Sequence, residues 1–314
     1  TSLAEAMLYD SGATTRLGRV EEGNTVTDYD PEEIRRKISV SMALAPCEWE
    51  GRKLNAIDAP GYVDFIGEVK SAVWASDAVA IVVDAVSGVE VGTEQVWAVA
   101  DERSLPRLVF INKMDRENAN PERVIGQLQE IFGARVVRVQ MPVGKEADFR
   151  GVVDLVTMKA YLGPGGKAAE IPADLASAAE EARLELVELA AEGEDALIEK
   201  YLEEGALSDE EIGRGLCAGV LRGGLVPVLY GSATANLGVR ALMEAAFTLL
   251  PHPGQVPVRA KDLGSSDEVV LEADAGGPLA AMVFKTVADP YVGKLSYLRI
   301  YSGKLESDSR VFNP

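Results

Sequence analysis

Residues that could bind a guanine base follow two apolar, strand-like segments of the chain. Asn112, Lys113 and Asp115 end one segment in the pattern Asn-Lys-x-Asp, and Ser232 and Ala233 follow another. The Asp115 carboxylate would accept hydrogen bonds from the N1–H and the exocyclic amine of guanine. The Asn112 amide would reach the base edge, the Lys113 stem would cover the ring face, and the loop backbone would hydrogen-bond the guanine oxygen.

A second set of residues could contact phosphates and a magnesium ion. Asp58-Ala-Pro-Gly61 follows the strand-like segment 53–57. Mg²⁺ keeps several waters and uses one or two carboxylates, which Asp58 could provide through water. Gly61 has no Cβ, so its N–H could approach a γ-phosphate closely. Asp-x-x-Gly alone is expected about once by chance in a chain of this length, so the order and placement of the motifs after strands carry the prediction.

The elements that must position these residues alternate along the chain. Strands are predicted at 53–57, 77–84, 107–112, 136–141 and 226–231, and helices at 64–75, 93–103, 121–132 and 239–250. Continuous apolar runs are typical of strands that are buried on both faces. The pattern predicts an α/β fold with a doubly wound parallel sheet, in which ligands bind at the carboxyl ends of the strands.

Composition excludes several classes of function. Lys and Arg number 31 and Asp and Glu 50, so the net charge is 31 − 50 = −19. That charge argues against broad electrostatic wrapping of nucleic acid, although local contacts stay possible. Cys47 and Cys217 form neither a disulfide framework nor a zinc cluster and suit a reducing cytosol. The single histidine, His252, excludes histidine triads and histidine general bases in the residues before it.

Two charged runs precede the first motif. The adjacent acids Glu32 and Glu33 are expected on a solvated face. The basic run 35–37 that follows them could touch RNA, or it could equally be a solvated patch.

Longer segments around the motifs resemble the translational GTPases, most closely elongation factor G and its paralogues. Residues 58–65 are similar to the switch II of that family, and 84–94 and 110–116 also match it. Residues 278–285, 288–295 and 299–305 look like the opening of its second domain. The resemblance covers the chain apart from weak stretches within residues 151–225 and 255–277. It implies a P-loop GTPase-type sheet.

The resemblance also implies a domain organisation. We expect a GTP-binding domain interrupted by an α-rich inserted subdomain, then a linker and the start of a β-barrel domain. The expected boundaries are 1–150 and 226–254 for the GTP-binding domain, 151–225 for the insert, 255–277 for the linker and 278–314 for the barrel. We expect this chain to be a fragment that lacks the phosphate loop and the last three domains of an elongation factor G.

Three departures from the family pattern bear on chemistry. The phosphate loop Gly-x-x-x-x-Gly-Lys-Thr is not found, and Thr1 aligns with its terminal Thr, the expected direct Mg²⁺ ligand. Switch I has Ser39 where the family has a Mg²⁺-binding Thr, and a serine hydroxyl can still ligate. Tyr62 stands where the family has a histidine that positions the attacking water. A phenol cannot replace imidazole near neutral pH, so we expect Tyr62 and Gly61 to organise a slow or different hydrolysis, as in an elongation-factor-G-like paralogue.

The function implied is GTP binding and Mg²⁺-dependent hydrolysis that drives ribosomal translocation. GTP, GDP and Mg²⁺ are the expected ligands, and ribosomal RNA and stalk proteins the expected partners of a cytoplasmic monomer with no membrane contact. Tyr62 favours an alternative, a ribosome-binding module that is switched by nucleotide and scarcely hydrolyses it. A ribosome-protection or release factor of the same superfamily is a third possibility.

Overall fold

The predicted strands and helices are present, with boundaries shifted by a few residues, in the computed structural model of the chain. It describes residues 1–133, 136–256, 258–262, 264–265, 267–289 and 291–313. In chain order the elements are α1 (Ser2–Asp10), α2 (Pro31–Arg36), β1 (Ala43–Trp49), β2 (Arg52–Asp58), α3 (Ile66–Ala75), β3 (Val79–Asp84), α4 (Val91–Glu102), β4 (Arg107–Asn112), α5 (Pro121–Phe132), β5 (Val136–Arg138), β6 (Gln140–Val143), β7 (Gly151–Asp154), β8 (Lys159–Leu162), β9 (Lys167–Ala169), α6 (Ala176–Ala191), α7 (Asp195–Glu204), α8 (Asp209–Leu221), β10 (Val226–Tyr230), α9 (Val239–Leu249), β11 (Val258–Lys261), β12 (Glu268–Leu271), β13 (Ala280–Asp289) and β14 (Gly293–Ser302).

A parallel sheet in the order β3-β4-β10-β5 forms the centre of the fold and confirms the predicted α/β class. In β4, Leu108 and Phe110 face one apolar cluster, whereas Val109 and Ile111 face another on the opposite side. Alternate residues of a strand point to opposite faces, so both faces of β4 are covered. Asp84 and Asn112 pair in register at the carboxyl ends of β3 and β4, which places the predicted site at that edge.

Local sequence signals explain why the crossover helices begin and end where they do. At the start of α5 the Asn120 side chain accepts a hydrogen bond from the backbone of the first turn, and Pro121 occupies the first helical position. Gly133 ends the helix with a φ of 58°, a left-handed conformation that favours glycine. The same helix packs against α4, where the Trp97 ring stacks on Phe132 with ring centroids 4.0 Å apart.

Two expectations about strands are wrong. The strand before Asp58 is expected from the sequence to be a buried member of the parallel sheet, but β2 pairs with β1 in an antiparallel hairpin and is exposed or half-buried. Its short run of mixed polar and apolar residues fits a hairpin better than a strand covered on both faces. The segment 136–141 is divided between two sheets, because β5 joins the parallel sheet whereas β6 begins an antiparallel sheet in the order β6-β7-β8-β9.

Helices α6, α7 and α8 follow that antiparallel sheet and precede β10 in the chain. Here α6 and α8 approach closely, since a Cβ added at Gly215 would lie 2.1 Å from the Ala190 carbonyl oxygen. Among the described residues, no helix combines the length and the apolar character that crossing a bilayer requires.

The last part of the chain holds antiparallel hairpins. The segment expected to be an irregular linker contains the hairpin β11–β12, and β13 pairs with β14 as expected for strands of a second domain. Pro290, in the connection between β13 and β14, lies outside the described residues. The Arg299 side chain of β14 donates to the Ala75 carbonyl at 2.8 Å and pairs with Asp77 at 2.5 Å. These contacts dock the hairpin against the end of α3.

Candidate functional site

The two motifs expected to bind a base lie against each other. Strands β4 and β10 are parallel neighbours, so the residues that follow them meet at one edge of the sheet. The Asn112 Oδ1 atom accepts a hydrogen bond from the Ala233 N–H at 2.9 Å. The Met114 N–H donates to the Gly231 carbonyl at 3.1 Å. The structure therefore brings the Asn-Lys-x-Asp motif and the Gly-Ser-Ala loop into direct contact.

Asp115 carries an acceptor that nothing in the described part of the chain satisfies. Its Oδ1 atom is buried and has no hydrogen-bond partner among those residues. A buried acceptor left without a donor costs about 1–3 kcal/mol. Adjacent N–H and NH₂ donors on one edge of a guanine would satisfy this carboxylate, so the residue fits the predicted ligand.

Lys113 lies along the same edge in a left-handed backbone conformation, with a φ of 62°. Its Nζ atom is 2.6 Å from Asp84 Oδ2. Burial opposes ionisation of Asp84, but the hydrogen bond from Lys113, helped by two backbone N–H groups, brings the pKa of this carboxyl below its usual value. Asp84 is not among the predicted site residues. Its position at the carboxyl end of β3 is the feature of the sequence that could have identified it as a site residue.

Ser232 and Ala233 are almost completely buried and form a tight loop. The Ser232 N–H donates to the Leu237 carbonyl at 2.9 Å, and the Ala233 N–H is held by Asn112. Both backbone donors therefore already have acceptors. A guanine oxygen at this loop would share the Ala233 N–H with Asn112 or replace Asn112 as its acceptor.

Helix α1 anchors the same loop. The Asn236 amide donates to Asp10 Oδ1 at 2.6 Å, across 226 residues of sequence. Burial raises the pKa of Asp10, and the hydrogen bond from Asn236 opposes that rise. Sequence reasoning missed this contact, because neither residue belongs to a motif.

The residues expected to bind Mg²⁺ form a second cluster. The Thr1 and Ser39 hydroxyl oxygens lie 2.7 Å apart. The Thr1 backbone nitrogen is 2.9 Å from Asp58 Oδ1, and the Thr27 hydroxyl donates to Asp58 Oδ2 at 2.7 Å. The structure thus joins Thr1, Ser39 and Asp58, which are far apart in sequence, and adds Thr27 to them.

Asp28 completes this cluster and is not among the predicted residues. Its Oδ1 atom accepts a hydrogen bond from the Ser39 hydroxyl at 2.7 Å. Its Oδ2 atom is buried without a partner in the described part of the chain. Burial raises the pKa of Asp28, whereas the hydrogen bond from Ser39 lowers it and the nearby Asp58 raises it further.

The donor set of this cluster fits Mg²⁺. The Asp28 carboxylate accepts from the hydroxyls of Thr1 and Ser39, and the Asp58 carboxylate accepts from the Thr27 hydroxyl and lies beside the Thr1 nitrogen. Across residues 1–133 and the other described ranges, no group of three or more carboxylate, histidine or cysteine ligands occurs. A small oxygen-ligand site with one or two carboxylates is what Mg²⁺ uses, since it keeps several of its waters.

In the described part of the chain, Gly61 and Tyr62 form no hydrogen bonds with the residues of either cluster. Tyr62 is 55% exposed, and its hydroxyl has no hydrogen bond to any described residue. A Cβ added at Gly61 would meet no atom within 4 Å. The structure therefore leaves the predicted catalytic turn open to solvent and does not link it to the Asp28–Asp58 cluster.

Met42 connects the segment after Ser39 to two other elements. Its N–H donates to the Glu68 carboxylate of α3 at 2.8 Å. Its carbonyl accepts a hydrogen bond from the Lys285 ammonium of β13. The segment that carries a predicted Mg²⁺ ligand is thus tied to the helix after Tyr62 and to the C-terminal hairpin.

Known proteins resemble this chain along its whole length. The family described as "Elongation factor Tu GTP binding domain" matches residues 1–252. Elongation factor G of Thermotoga petrophila is 41% identical over 319 residues, covering 100% of this chain and 46% of its own length. Elongation factor G of Thermotoga sp. strain RQ2 has the same identity and coverage. The chain spans about half the length of the curated relatives it matches.

A solved structure shares the fold. A crystal structure of a protein from Thermus thermophilus superimposes with a TM-score of 0.84 at 35% identity, covering 97% of this chain and 44% of that chain.

Proposed function

The chain belongs to the translational GTPase family, whose elongation factor Tu GTP binding domain matches residues 1–252, and from this premise we propose that it binds GTP and GDP with Mg²⁺ and hydrolyses GTP. The names of two relatives that are 41% identical support a protein of the elongation factor G kind. In the complete protein, hydrolysis would drive ribosomal translocation in the cytoplasm. The protein would be a monomer, and its partners would be ribosomal RNA and ribosomal stalk proteins.

The observation that carries this proposal is the edge where β4 and β10 end. There Asp115, whose buried Oδ1 atom has no partner in the described part of the chain, lies in the motif that holds the Gly-Ser-Ala loop through Asn112 and Ala233. A guanine presents two adjacent donors to such a carboxylate. An adenine presents a ring nitrogen acceptor beside its amine, which would face the carboxylate unfavourably. The arrangement therefore supports guanine over adenine nucleotides.

The phosphates and Mg²⁺ would lie at the second cluster. Thr1, Ser39 and Asp58, joined by Asp28, would hold the ion directly or through its waters. Bound there, Mg²⁺ would neutralise charge on the β- and γ-phosphates. The hydroxyl of Ser39 lies in a segment that nucleotide state could order or release, as in switch regions of other GTPases.

The reaction we propose is attack of water on the γ-phosphorus, which breaks its bond to the bridging oxygen and leaves GDP and phosphate. Catalysis of this kind rests mostly on positioning and charge neutralisation. The Gly61 N–H would contact the γ-phosphate, and Tyr62 would stand beside the attacking water. The exposure of this turn supports a step that needs the ribosome to organise it.

We propose the expected division of the chain as its functional organisation. Residues 1–150 and 226–254 would form the GTP-binding domain, and 151–225 the insert. Residues 255–277 would connect it to the first strands of a second domain at 278–314. The antiparallel sheet of the insert begins earlier, at Gln140.

The test is nucleotide binding and turnover in the complete protein that carries this chain. Calorimetry should give tight GDP and GTP binding and no measurable ATP binding. Phosphate release from GTP should be slow alone and faster with saturating ribosomes. Tight ATP binding would overturn the guanine assignment, and ribosomes without effect on turnover would overturn the translational role.

One observation favours a second candidate, a nucleotide-switched ribosome-binding module with little hydrolysis. Tyr62 replaces the expected histidine, and its hydroxyl has no bond to any described residue. Single-turnover hydrolysis with saturating ribosomes separates the two. Retained ribosome binding with GTP and negligible turnover would support the module.

A further inference from the structure

Glu33 is buried, contrary to the expectation that the Glu32-Glu33 pair is solvated. It lies in α2, upstream of the predicted Mg²⁺ ligand Ser39, and only 2% of its surface is exposed. Its neighbour Glu32 stays on the solvent face, where it pairs with Arg35 and Arg36. Successive helix residues point about 100° apart, so one acid of the pair faces inward and the other faces water.

The Glu33 carboxylate binds backbone N–H groups on both sides of its own helix. Its Oε1 atom accepts from Val40 at 2.9 Å and from Ser41 at 3.0 Å. Its Oε2 atom accepts from Asp30 at 3.1 Å. An ionised carboxylate forms stronger hydrogen bonds than a neutral acceptor does. A single side chain therefore joins the start of α2 to the segment that follows the helix.

The backbone of Glu33 holds the same segment from its other side. Its carbonyl accepts from the Lys37 N–H at 2.7 Å and from the Ile38 N–H at 3.3 Å. Lys37 adopts a left-handed conformation with a φ of 58°, which reverses the chain after the helix. Ser39 is consequently flanked on both sides by residues that are bonded to Glu33.

The position of Ser39 matters because its hydroxyl joins the oxygen cluster. Ser39 Oγ lies 2.7 Å from Thr1 Oγ1 and donates to Asp28 Oδ1 at 2.7 Å. The other carboxylate oxygen of Asp28 is buried and unpartnered in the described part of the chain. The segment that Glu33 fixes thus carries the Ser39 hydroxyl, which bonds to Asp28. The Oδ2 atom of Asp28 has no partner in the described part of the chain and is free to accept a ligand.

We propose that Glu33 is a positioning residue for Mg²⁺: it holds the backbone at Val40 and Ser41 so that the Ser39 hydroxyl stays at the ion's site. This inference rests on the proposed function, since it assumes that the cluster takes Mg²⁺ with GTP. Glu33 itself contacts neither ion nor nucleotide. Its loss raises the Mg²⁺ concentration that GTP binding needs, and leaves the base contacts unchanged.

The experiment compares Glu33→Gln with Glu32→Gln in the complete protein that carries this chain. Both variants remove one negative charge from α2, but only Glu33→Gln replaces the buried carboxylate, whose two oxygens accept from Val40, Ser41 and Asp30, with a neutral amide that has a single acceptor oxygen. Hydrogen exchange is measured at these two amides without nucleotide. Binding of a fluorescent, non-hydrolysable GTP analogue is then titrated with Mg²⁺, and GDP affinity is measured at saturating Mg²⁺.

For Glu33→Gln we expect faster exchange at Val40 and Ser41 and a Mg²⁺ requirement raised roughly tenfold. GDP affinity at saturating Mg²⁺ should stay within about twofold of the parent, because the base contacts are unchanged. A twofold change in affinity is smaller than the change expected from the loss of a single hydrogen bond. Glu32→Gln should match the parent in all three measurements. Glu33→Asp keeps the charge on a shorter stem and should restore part of the Mg²⁺ response; it is the test variant if Glu33→Gln does not fold.

Each failure has its own signature. A parent-like Mg²⁺ requirement in Glu33→Gln, despite faster exchange, overturns the inference and leaves Glu33 a purely structural residue. Unchanged exchange at both amides overturns it as well, because the ionised carboxylate would then hold Val40 and Ser41 no more firmly than a neutral amide oxygen does. A parent that binds GTP without any Mg²⁺ dependence overturns the proposed function itself.

Discussion

Replacing Asp115 with Asn should change the preferred base from guanine to xanthine. The carboxylate of Asp115 accepts only, and its Oδ1 atom is buried without a partner in the described part of the chain. The amide in Asp115→Asn presents one acceptor and one NH₂ donor in the same place. Guanine offers two donors on this edge, whereas xanthine has a carbonyl oxygen where guanine has its amine. The variant therefore matches xanthine and leaves one donor of guanine facing another donor.

The size of the effect follows from the contacts at stake. One hydrogen bond to a charged group is replaced by two facing donors, and a buried polar group without a partner costs about 1–3 kcal/mol. A loss in the upper half of that range, about 2–3 kcal/mol, corresponds to roughly a 30- to 150-fold weaker affinity for GDP. The scaffold of the pocket should survive, because Asn112 and Ala233 stay bonded to each other.

Calorimetry with GDP and XDP, at saturating Mg²⁺ in the complete protein, measures both affinities. Glu117→Gln is the control, since it changes an exposed acid two residues further along the chain. The preference, taken as the ratio of the two affinities, should reverse in Asp115→Asn and stay parent-like in the control. GDP binding as tight as in the parent would refute the assignment of Asp115, and equal weakening for both nucleotides would point to a collapsed loop instead.

The remaining predictions concern the edges of the site and the docked hairpin. Tyr62→Phe should leave ribosome-stimulated single-turnover hydrolysis almost unchanged and Tyr62→His should raise it; a large loss in the Phe variant would show that the hydroxyl positions water. Lys113→Met should raise the pKa of Asp84, measured by carboxyl carbon NMR. Since the folded-state pKa of Asp84 is below its usual value of about 3.8, its contribution to stability is present above that pH and disappears as the pH falls through the folded-state pKa. Arg299→Leu should cost about 2 kcal/mol in urea unfolding, because its partners are half-buried, whereas Arg259→Leu, in an exposed pair with Glu268, should cost little.

The contact between the two motifs proposed to bind the base could be predicted from sequence because its geometry is local. Asn112 and Asp115 are separated by two residues at the end of a strand whose apolar run is continuous. A strand of that kind is buried on both faces, and ligands bind beyond the carboxyl ends of such strands. Once β4 and β10 are neighbours, the contact between Asn112 and Ala233 follows from the fold. The prediction failed for β2, whose mixed residues suit a hairpin partner in β1.

The oxygen cluster proposed to hold Mg²⁺ could be predicted only in part, because its contacts are long-range. Thr1 and Ser39 are predicted through a resemblance to known motifs, and Asp58 is predicted from its position after a strand. Asp28 belongs to no such motif, and its role depends on a hydrogen bond to a residue 11 positions away. The burial of Asp28 depends on the folded chain, because the sequence around an aspartate does not show whether its carboxylate will be buried away from solvent.

Glu32 and Glu33 show most clearly that the burial of a charged residue cannot be predicted from the sequence alone. The two residues are chemically identical and adjacent, so composition and charge patterning treat them alike. The capping of α2 by Asp30 fixes the rotation of the helix, and that rotation points Glu33 toward the backbone of Val40. The side chain that faces solvent then forms ion pairs of little energetic value, whereas the buried one organises the segment that carries Ser39. A substitution at either position changes the net charge equally, so a difference between them in Mg²⁺ dependence arises from where the Glu33 carboxylate lies and what it bonds, and not from net charge.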